Sequence, residues 1–288
     1  MTRKAAFAGI FYEAQEQALT KQITDCFTDN RGPGDLPLKR GKKEIHAIIA
    51  PAASYSFAGP CAAWAYKEIA EATFSDVYII IGPQHANKTN AVSLVGYETP
   101  LGMVRVDQTL ANALLGKNKD LVVDEQVHAE EHCIELQIPF LQFATQDKMH
   151  ELKILPILLS TNVNAKQLAL DLKEVLVEQN KKATFIVCSD FTHYGRKYHY
   201  VPFSQDIKKN IYDMDRDAIA FIKKQDVKGF FSLIKEKFLT IDGYVPIIVL
   251  LLALKKVSAR LEQYYTSADV TNDERYLESV SYAAIIFE

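Results

Sequence analysis

The sequence predicts a layered α/β fold, one domain with a mostly parallel or mixed central sheet flanked by helices. Two observations carry this reading. Several short runs rich in Ile and Val stop abruptly at turn residues, as strands buried on both faces do. Segments with apolar residues at helical spacing lie between those runs, and strand–helix alternation is the signature of a layered α/β domain.

The strands are expected at 45–50 (ending at Pro51), 77–81 (ending at Gly82-Pro83), 152–159 (ending at Ser160) and 185–188 (ending at Ser189-Asp190). Strand character returns at 276–287. Helices are expected at 60–70, an Ala-rich stretch with Trp64 and Tyr66, and at 164–178, where Leu168, Leu172, Val175 and Leu176 fall on one stripe. Further helices are expected at 205–223, 227–238 and 244–255, the last apolar enough to be buried. There is no internal repeat. The Gly/Pro stretch at 32–41 reads as a loop inside the domain.

Bulk properties exclude several classes. The 288 residues are 48% hydrophobic and 24% charged, which is ordinary for a folded chain and too apolar for a disordered one. Lys and Arg number 33 against 36 acidic residues, for a net charge of -3, so the basic footprint of a nucleic-acid binder is missing. Lys39, Arg40, Lys42 and Lys43 form the densest basic stretch, read here as a solvated loop beside Pro37. The apolar run from Val245 to Leu254 is too short for a bilayer. Cys26, Cys61, Cys133 and Cys188 form no C-x-x-C pair, which fits a reducing compartment, and a cytoplasmic protein is expected.

Open α/β sheets bind ligands at the carboxyl ends of their strands. Those ends carry Pro51-Ala-Ala-Ser-Tyr55, Gly82-Pro-Gln-His85 and Ser189-Asp-Phe-Thr-His-Tyr-Gly195, and Glu130-Glu-His-Cys-Ile-Glu135 opens an apolar helix. His85, His193 and Asp190 can therefore share a cleft, as metal ligands or as acid–base groups. The plainer roles stay open at this point. Asp190 can cap its turn, and Glu131 can serve as an N-terminal helix charge.

Seven segments in order resemble the Memo family, also called AmmeMemoRadiSam system protein B. Ala8-Gly-Ile-Phe-Tyr12 is similar to A-G-x-W-Y, Ile49-Ala-Pro-Ala-Ala-Ser-Tyr55 to I-x-P-H-A-G-Y, and Gly82-Pro-Gln-His85 to G-P-S-H. Thr99-Pro-Leu-Gly102 with Asp107 is similar to T-P-L-G and its Asp, and Glu131-His-Cys-Ile-Glu135 to E-H-S-I-E. Ser189 to Gly195 is similar to S-S-D-F-S-H-Y-G, and Thr240-Ile-Asp-Gly243 with Pro246 to T-I-C-G and its Pro. The resemblance spans nearly the whole chain and implies one Memo-like domain over 1–288, with a fold related to LigB-type class III extradiol dioxygenases.

The resemblance also implies a cleft and a metal, with iron or copper as the suggested ions. Its proposed ligands fall at positions 52, 85 and 242, and its acid–base imidazole at His193 beside Asp190. This chain has Ala52 where the family has a ligand His, Ser54 where it has Gly, and Asp242 where it has Cys. His85 alone keeps its type. A carboxylate suits iron or manganese and disfavours Cu(I). Weak binding of iron or copper is therefore expected, in a cleft lined also by Tyr55, Gln84, Glu131 and His132. Two functions follow from the resemblance. One is a cleft that binds a small molecule or peptide, or acts with radical SAM and Ammecr-type partners, through a degenerate metal site. The other is a dioxygenase-like oxidoreductase using a rearranged His85/His193/Asp242 set, the facial-triad ligand types. A metal-free hydrolase or isomerase using His193 and Asp190 ranks last, because no nucleophile elbow is present.

Overall fold

The computed structural model describes residues 2–85 and 89–288. In chain order the elements are β1 (Thr2–Arg3), α1 (Glu16–Thr28), β2 (Ala47–Ala50), α2 (Tyr55–Glu71), β3 (Val77–Pro83), β4 (Asn90–Val92), β5 (Gly96–Thr99), β6 (Gly102–Val106) and α3 (Gln108–Lys117). There follow β7 (Leu121–Val123), α4 (Glu125–Glu130), α5 (His132–Ala144), β8 (Lys153–Leu159), α6 (Ala165–Glu178), β9 (Ala183–Cys188) and β10 (His193–Gly195). The chain closes with α7 (Ile207–Lys224), α8 (Val227–Lys237), α9 (Tyr244–Ala253), β11 (Ala259–Thr266), α10 (Ser267–Thr271) and β12 (Glu278–Phe287).

The strands form one mixed sheet in the order β1-β5-β6-β8-β3-β9-β2-β12-β10, with β11 on β12 and β4 bridging β7 and β8. Its centre, β8-β3-β9-β2, is parallel, and β12 joins β2 antiparallel. The central strands alternate between two cores, as the period of two requires. Ile48, Ala50, Tyr78 and Ile80 face the layer of α1, α2 and α5. Ala47, Ile49, Val77, Ile79 and Ile81 face the layer of α3, α6, α8 and α9. A strand that is apolar on both faces reads as an unbroken run, which is why these four were visible in the sequence. No helix among the described residues is long and apolar enough to cross a membrane.

Three parallel neighbours, β3, β9 and β2, end at the same edge of the sheet. With strands about 4.8 Å apart, the residues just beyond Pro83, Cys188 and Ala50 are brought side by side although they are far apart in sequence. Gln137 on α5 ties this edge together. Its Nε2 donates to the Pro51 carbonyl at 3.0 Å, and its Oε1 accepts from Tyr66 Oη at 2.8 Å.

The basic stretch at 39–43 departs from a freely solvated loop. The Arg40 guanidinium donates to the carbonyls of Ile69, Ala72 and Ala144 and pairs with Asp147, closing the ends of α2 and α5. Carbonyls at helix ends lack intrahelical partners, and Arg40 serves these, although the Ile69 carbonyl also accepts from the Ala72 N–H at 3.3 Å.

Candidate functional site

Asp190 follows β9, and its side chain turns back toward β2. Its Oδ1 accepts from the Ala52 backbone N–H at 2.9 Å. Its own N–H donates to Asp242 Oδ1 at 2.8 Å, and Ser189 Oγ lies 3.4 Å from the same oxygen. Asp242 sits in the turn before α9, and Gly243 allows that turn to press against β9. A Cβ at 243 would lie 2.4 Å from both the Cys188 carbonyl oxygen and Ser189 Cβ.

His193 opens β10. Its Nδ1 is 2.9 Å from both the Phe191 and Thr240 carbonyl oxygens. Two acceptors require a ring proton on Nδ1, so in the neutral ring the lone pair is on Nε2. Thr240 Oγ1 locks the backbone from the same side, accepting from the His193 N–H and donating to its carbonyl, both at 2.9 Å. One donor atom each from Asp190, His193 and Asp242 lie within 4.8 Å of one another.

His85 approaches the cluster from the end of β3. Its Nε2 is 3.8 Å from Asp242 Oδ2. Glu131 holds the other side, accepting from the His85 backbone N–H at 2.7 Å and standing 3.0 Å from Nδ1. Glu131 occupies the N-cap position of α5 without a side-chain cap bond. Its carboxylate serves His85 instead of the helix end. The His85 ring lies parallel to His132 at 6.2 Å between centroids, and His132 stacks on Phe11 at 4.9 Å.

A cavity of about 410 Å³ opens above this floor, lined by Phe11, Ala52, Phe57, His132, Asp190, His193, Lys197, Tyr198, Ser267, Glu278 and Tyr282 among others. That volume is in the range of small-molecule sites.

Electrostatics follow from this crowding. Burial, then the charge of Asp242, pushes the Asp190 carboxyl up to about 7. Burial also raises Asp242, with His193 and His85 opposing the rise. Two buried carboxyls this close resist ionising together, so they hold a proton near neutrality. The Glu131 hydrogen bond raises His85, against burial. Burial and then the charge of His85 lower His132.

His85, Glu131, His132, Asp190, His193 and Asp242 thus come together; the strand ends pointed to His85, Asp190 and His193, and the resemblance to Asp242. Gln84 is buried beside His85 at the end of β3. Tyr55 is placed elsewhere. Its hydroxyl donates to the Leu136 carbonyl at 2.6 Å, and its ring packs on Tyr12 and Phe140 in the core under α1 and α2. As the first residue of α2 it points back under the helix, a direction set by helical geometry. Sequence reasoning assigned no role to Phe11 or Thr240, yet Phe11 forms a wall and Thr240 fixes His193. Their only signal was membership in A-G-x-W-Y-like and T-I-C-G-like segments.

A cation fits this donor set in part. The methyl of Ala52 removes the first ligand of the family pattern. Asp190, His193 and Asp242 offer two carboxylates and an oriented imidazole, hard and borderline donors that suit iron(II), manganese(II) or zinc(II). The spread of 4.8 Å exceeds the roughly 3 Å between neighbouring donors around such an ion, so the side chains would have to close in. Cu(I) does not fit, since the group contains no thiolate.

Comparison with known proteins agrees with the architecture. A family model described as Memo-like protein matches residues 3–286. A MEMO1 family protein from Methanopyrus kandleri is 34% identical over 296 residues, covering 100% of this chain and 99% of its own. One from Methanothermobacter thermautotrophicus is 34% identical over 281 residues, covering 95% and 96%. One from Sulfurisphaera tokodaii is 32% identical over 297 residues, covering 100% and 99%. Among solved structures, an uncharacterized protein from Escherichia coli K12 superposes with a TM-score of 0.51 at 10% identity, over 85% of this chain and 100% of that one.

Proposed function

The chain belongs to the Memo-like family, and from that premise we propose that its cleft binds a small polar ligand over a floor rebuilt for a hard divalent cation. One observation carries the reading: the donor atoms of Asp190, His193 and Asp242 converge within 4.8 Å at the base of a cavity that Asp190 and His193 also line. His85 stands at the edge of this group as a further imidazole.

The residues divide the work. Asp190 and Asp242 supply negative charge that a divalent cation would relieve. His193, its Nδ1 tied to two carbonyls, presents Nε2 toward the cleft, a backing of the kind that orients metal-ligating imidazoles. Glu131 does the same for His85. A bound cation would supply Lewis-acid polarisation of a ligand oxygen. Without one, Asp190 and Asp242 hold a proton between them, and His193 Nε2 is free to accept one from a bound molecule. Phe11, Phe57 and Tyr198 line the sides of the cleft, and Lys197 offers a positive charge for an anionic substituent.

Titration of metal-stripped protein with Mn(II), Zn(II) and Fe(II), followed by calorimetry, tests the reading. Saturable one-site binding that Asp242→Asn abolishes is expected. No binding of any of the three ions would leave the metal-free cleft as the function.

A second reading, a non-haem oxidoreductase, is favoured by His85. Its Nε2 lies near Asp242, so two imidazoles and a carboxylate are available on one side of the cleft. Catechol consumption by the iron-loaded protein under oxygen tests it. Radical SAM and Ammecr-type partners are part of this proposal only as what the family resemblance implies.

A further inference from the structure

We propose that Glu135 is a positioning residue, seating the segment from Arg3 to Tyr12 as one wall of the cleft and thereby fixing the rings of Phe11 and His132. The proposal uses the cleft described above, but its geometry stands apart from any cation.

Glu135 lies one helical turn beyond His132 on α5, and its side chain is fully buried. Its carboxylate gathers an otherwise irregular segment at four points. Oε1 accepts from the Phe7 N–H at 2.8 Å and from Tyr12 Oη at 2.9 Å. Oε2 accepts from the Ala6 N–H at 3.0 Å and stands 3.4 Å from Arg3 Nη2. The Arg3 guanidinium then reaches Tyr97 Oη at 3.0 Å and the Glu131 carbonyl at 3.4 Å. A buried carboxylate is tolerated only when its acceptor positions are filled, and here they are filled mainly by this one segment.

Within this segment, the rings of Phe7 and Phe11 pack against His132. Phe7 meets the imidazole edge-on at 5.8 Å, and Phe11 covers it face to face at 4.9 Å with 15° between planes. The Phe11 carbonyl is in turn held by the Tyr55 N–H at 2.9 Å and by Ser54 Oγ at 3.2 Å, beside the P-H-A-G-Y-like turn. The segment thus bridges α5 to the β2 edge across the cleft.

The test reads the imidazole directly. A ring stacked at this distance shields the His132 ring protons, and Phe11→Leu sets the unshielded reference in a proton–carbon spectrum of the full-length protein. Glu135→Gln is expected to move the His132 signal toward that reference and to speed tryptic cleavage after Lys4 at least fivefold. Val175→Ala, which thins the opposite core, is expected to lower the melting temperature with neither change. Should Glu135→Gln fail to fold with Arg3 left unpaired, Arg3→Met/Glu135→Leu removes both charges and is read the same way. A His132 signal at its parent position in a folded variant lacking the Glu135 carboxylate overturns the proposal. Both readouts need no metal and no ligand, so failure of the cation site leaves them interpretable. Zn(II) affinity of the same variants then shows whether the wall matters to binding.

Discussion

The backbone N–H of Ala52 donates to Asp190 Oδ1 across 2.9 Å. The position where the family pattern has an imidazole is therefore still joined to the cluster, through the main chain instead of a side chain. Ala52 itself lines the cavity along with Asp190 and His193.

Ala52→His should tighten binding of divalent cations. The new imidazole would enter a floor that already has Asp242, His193 and His85 at hand. Changes one shell further out typically shift affinity by roughly 10–100-fold, so a gain of at least about tenfold is expected from a direct ligand. Competition titration against a chelator with Zn(II) and Fe(II) measures it. Equal affinities in parent and variant would mean that an imidazole at 52 cannot reach the cluster.

Glu131→Gln should lower the pKa of His85. The Glu131 hydrogen bond is the main cause that raises the pKa of that ring, ahead of the Asp242 charge. An amide keeps the size and removes the charge. The sign for stability follows. The raised His85 contributes stability that is lost as pH rises through its folded pKa. That contribution should shrink in the variant, flattening the difference in melting temperature between acid and neutral pH. Titration of the His85 ring carbon by NMR decides the matter, and an unmoved pKa would remove Glu131 from its backing role.

How much of this was legible in the sequence depends on distance along the chain. Runs such as 77–81 and 185–188 showed their burial because both faces are apolar. β11, with the half-buried sequence Ala259 to Thr266, shows no clean alternation and was missed. So were the β5–β6 hairpin and α1. The strand-end histidines were visible as residue types in suggestive places. The contact between Asp190 and Asp242 was not, because it spans 52 residues and exists only once α9 packs beneath β9. Tyr55 shows the opposite failure. Its motif pointed to the cleft, but helix geometry sends the side chain into the core.

Gly243→Ala should damage stability and site together. The backbone there has φ -84, which alanine adopts freely, so the cost is steric. The new methyl would meet the Cys188 carbonyl oxygen and Ser189 Cβ at 2.4 Å. Overpacking of this kind costs about 1–3 kcal/mol. Because the turn carries Asp242, relief by backbone movement would pull its carboxylate off the Asp190 N–H. Denaturant unfolding and cation titration of the same variant are expected to fall together. A loss of stability with unchanged affinity would show that the turn and the cluster are independent.

The carboxylate pair makes a prediction about pH. Asp190 is pushed up to about 7 from 3.8, first by burial and then by Asp242. A cation must displace that proton, so affinity should climb as pH rises from 6 and level off above about 7.5. If one proton is released, the climb is about tenfold per unit on the acidic side. The metal-free protein should behave inversely. A folded pKa above the unfolded value means that the contribution of Asp190 to stability is fully present below about 3.8 and is lost as pH rises through about 7. Saturating cation should reverse the loss, by about 2.7 kcal/mol at a hundredfold excess over Kd. Asp190→Asn has no proton to release. It should bind more weakly, with a flatter pH profile, and its metal-free form should lose less stability between pH 5 and 8 than the parent. Calorimetry in two buffers of different ionisation enthalpy counts the protons released. A parent affinity that is flat across pH 6–8, with no proton released, would show that Asp190 is already ionised and that the like-charge account of the site is wrong.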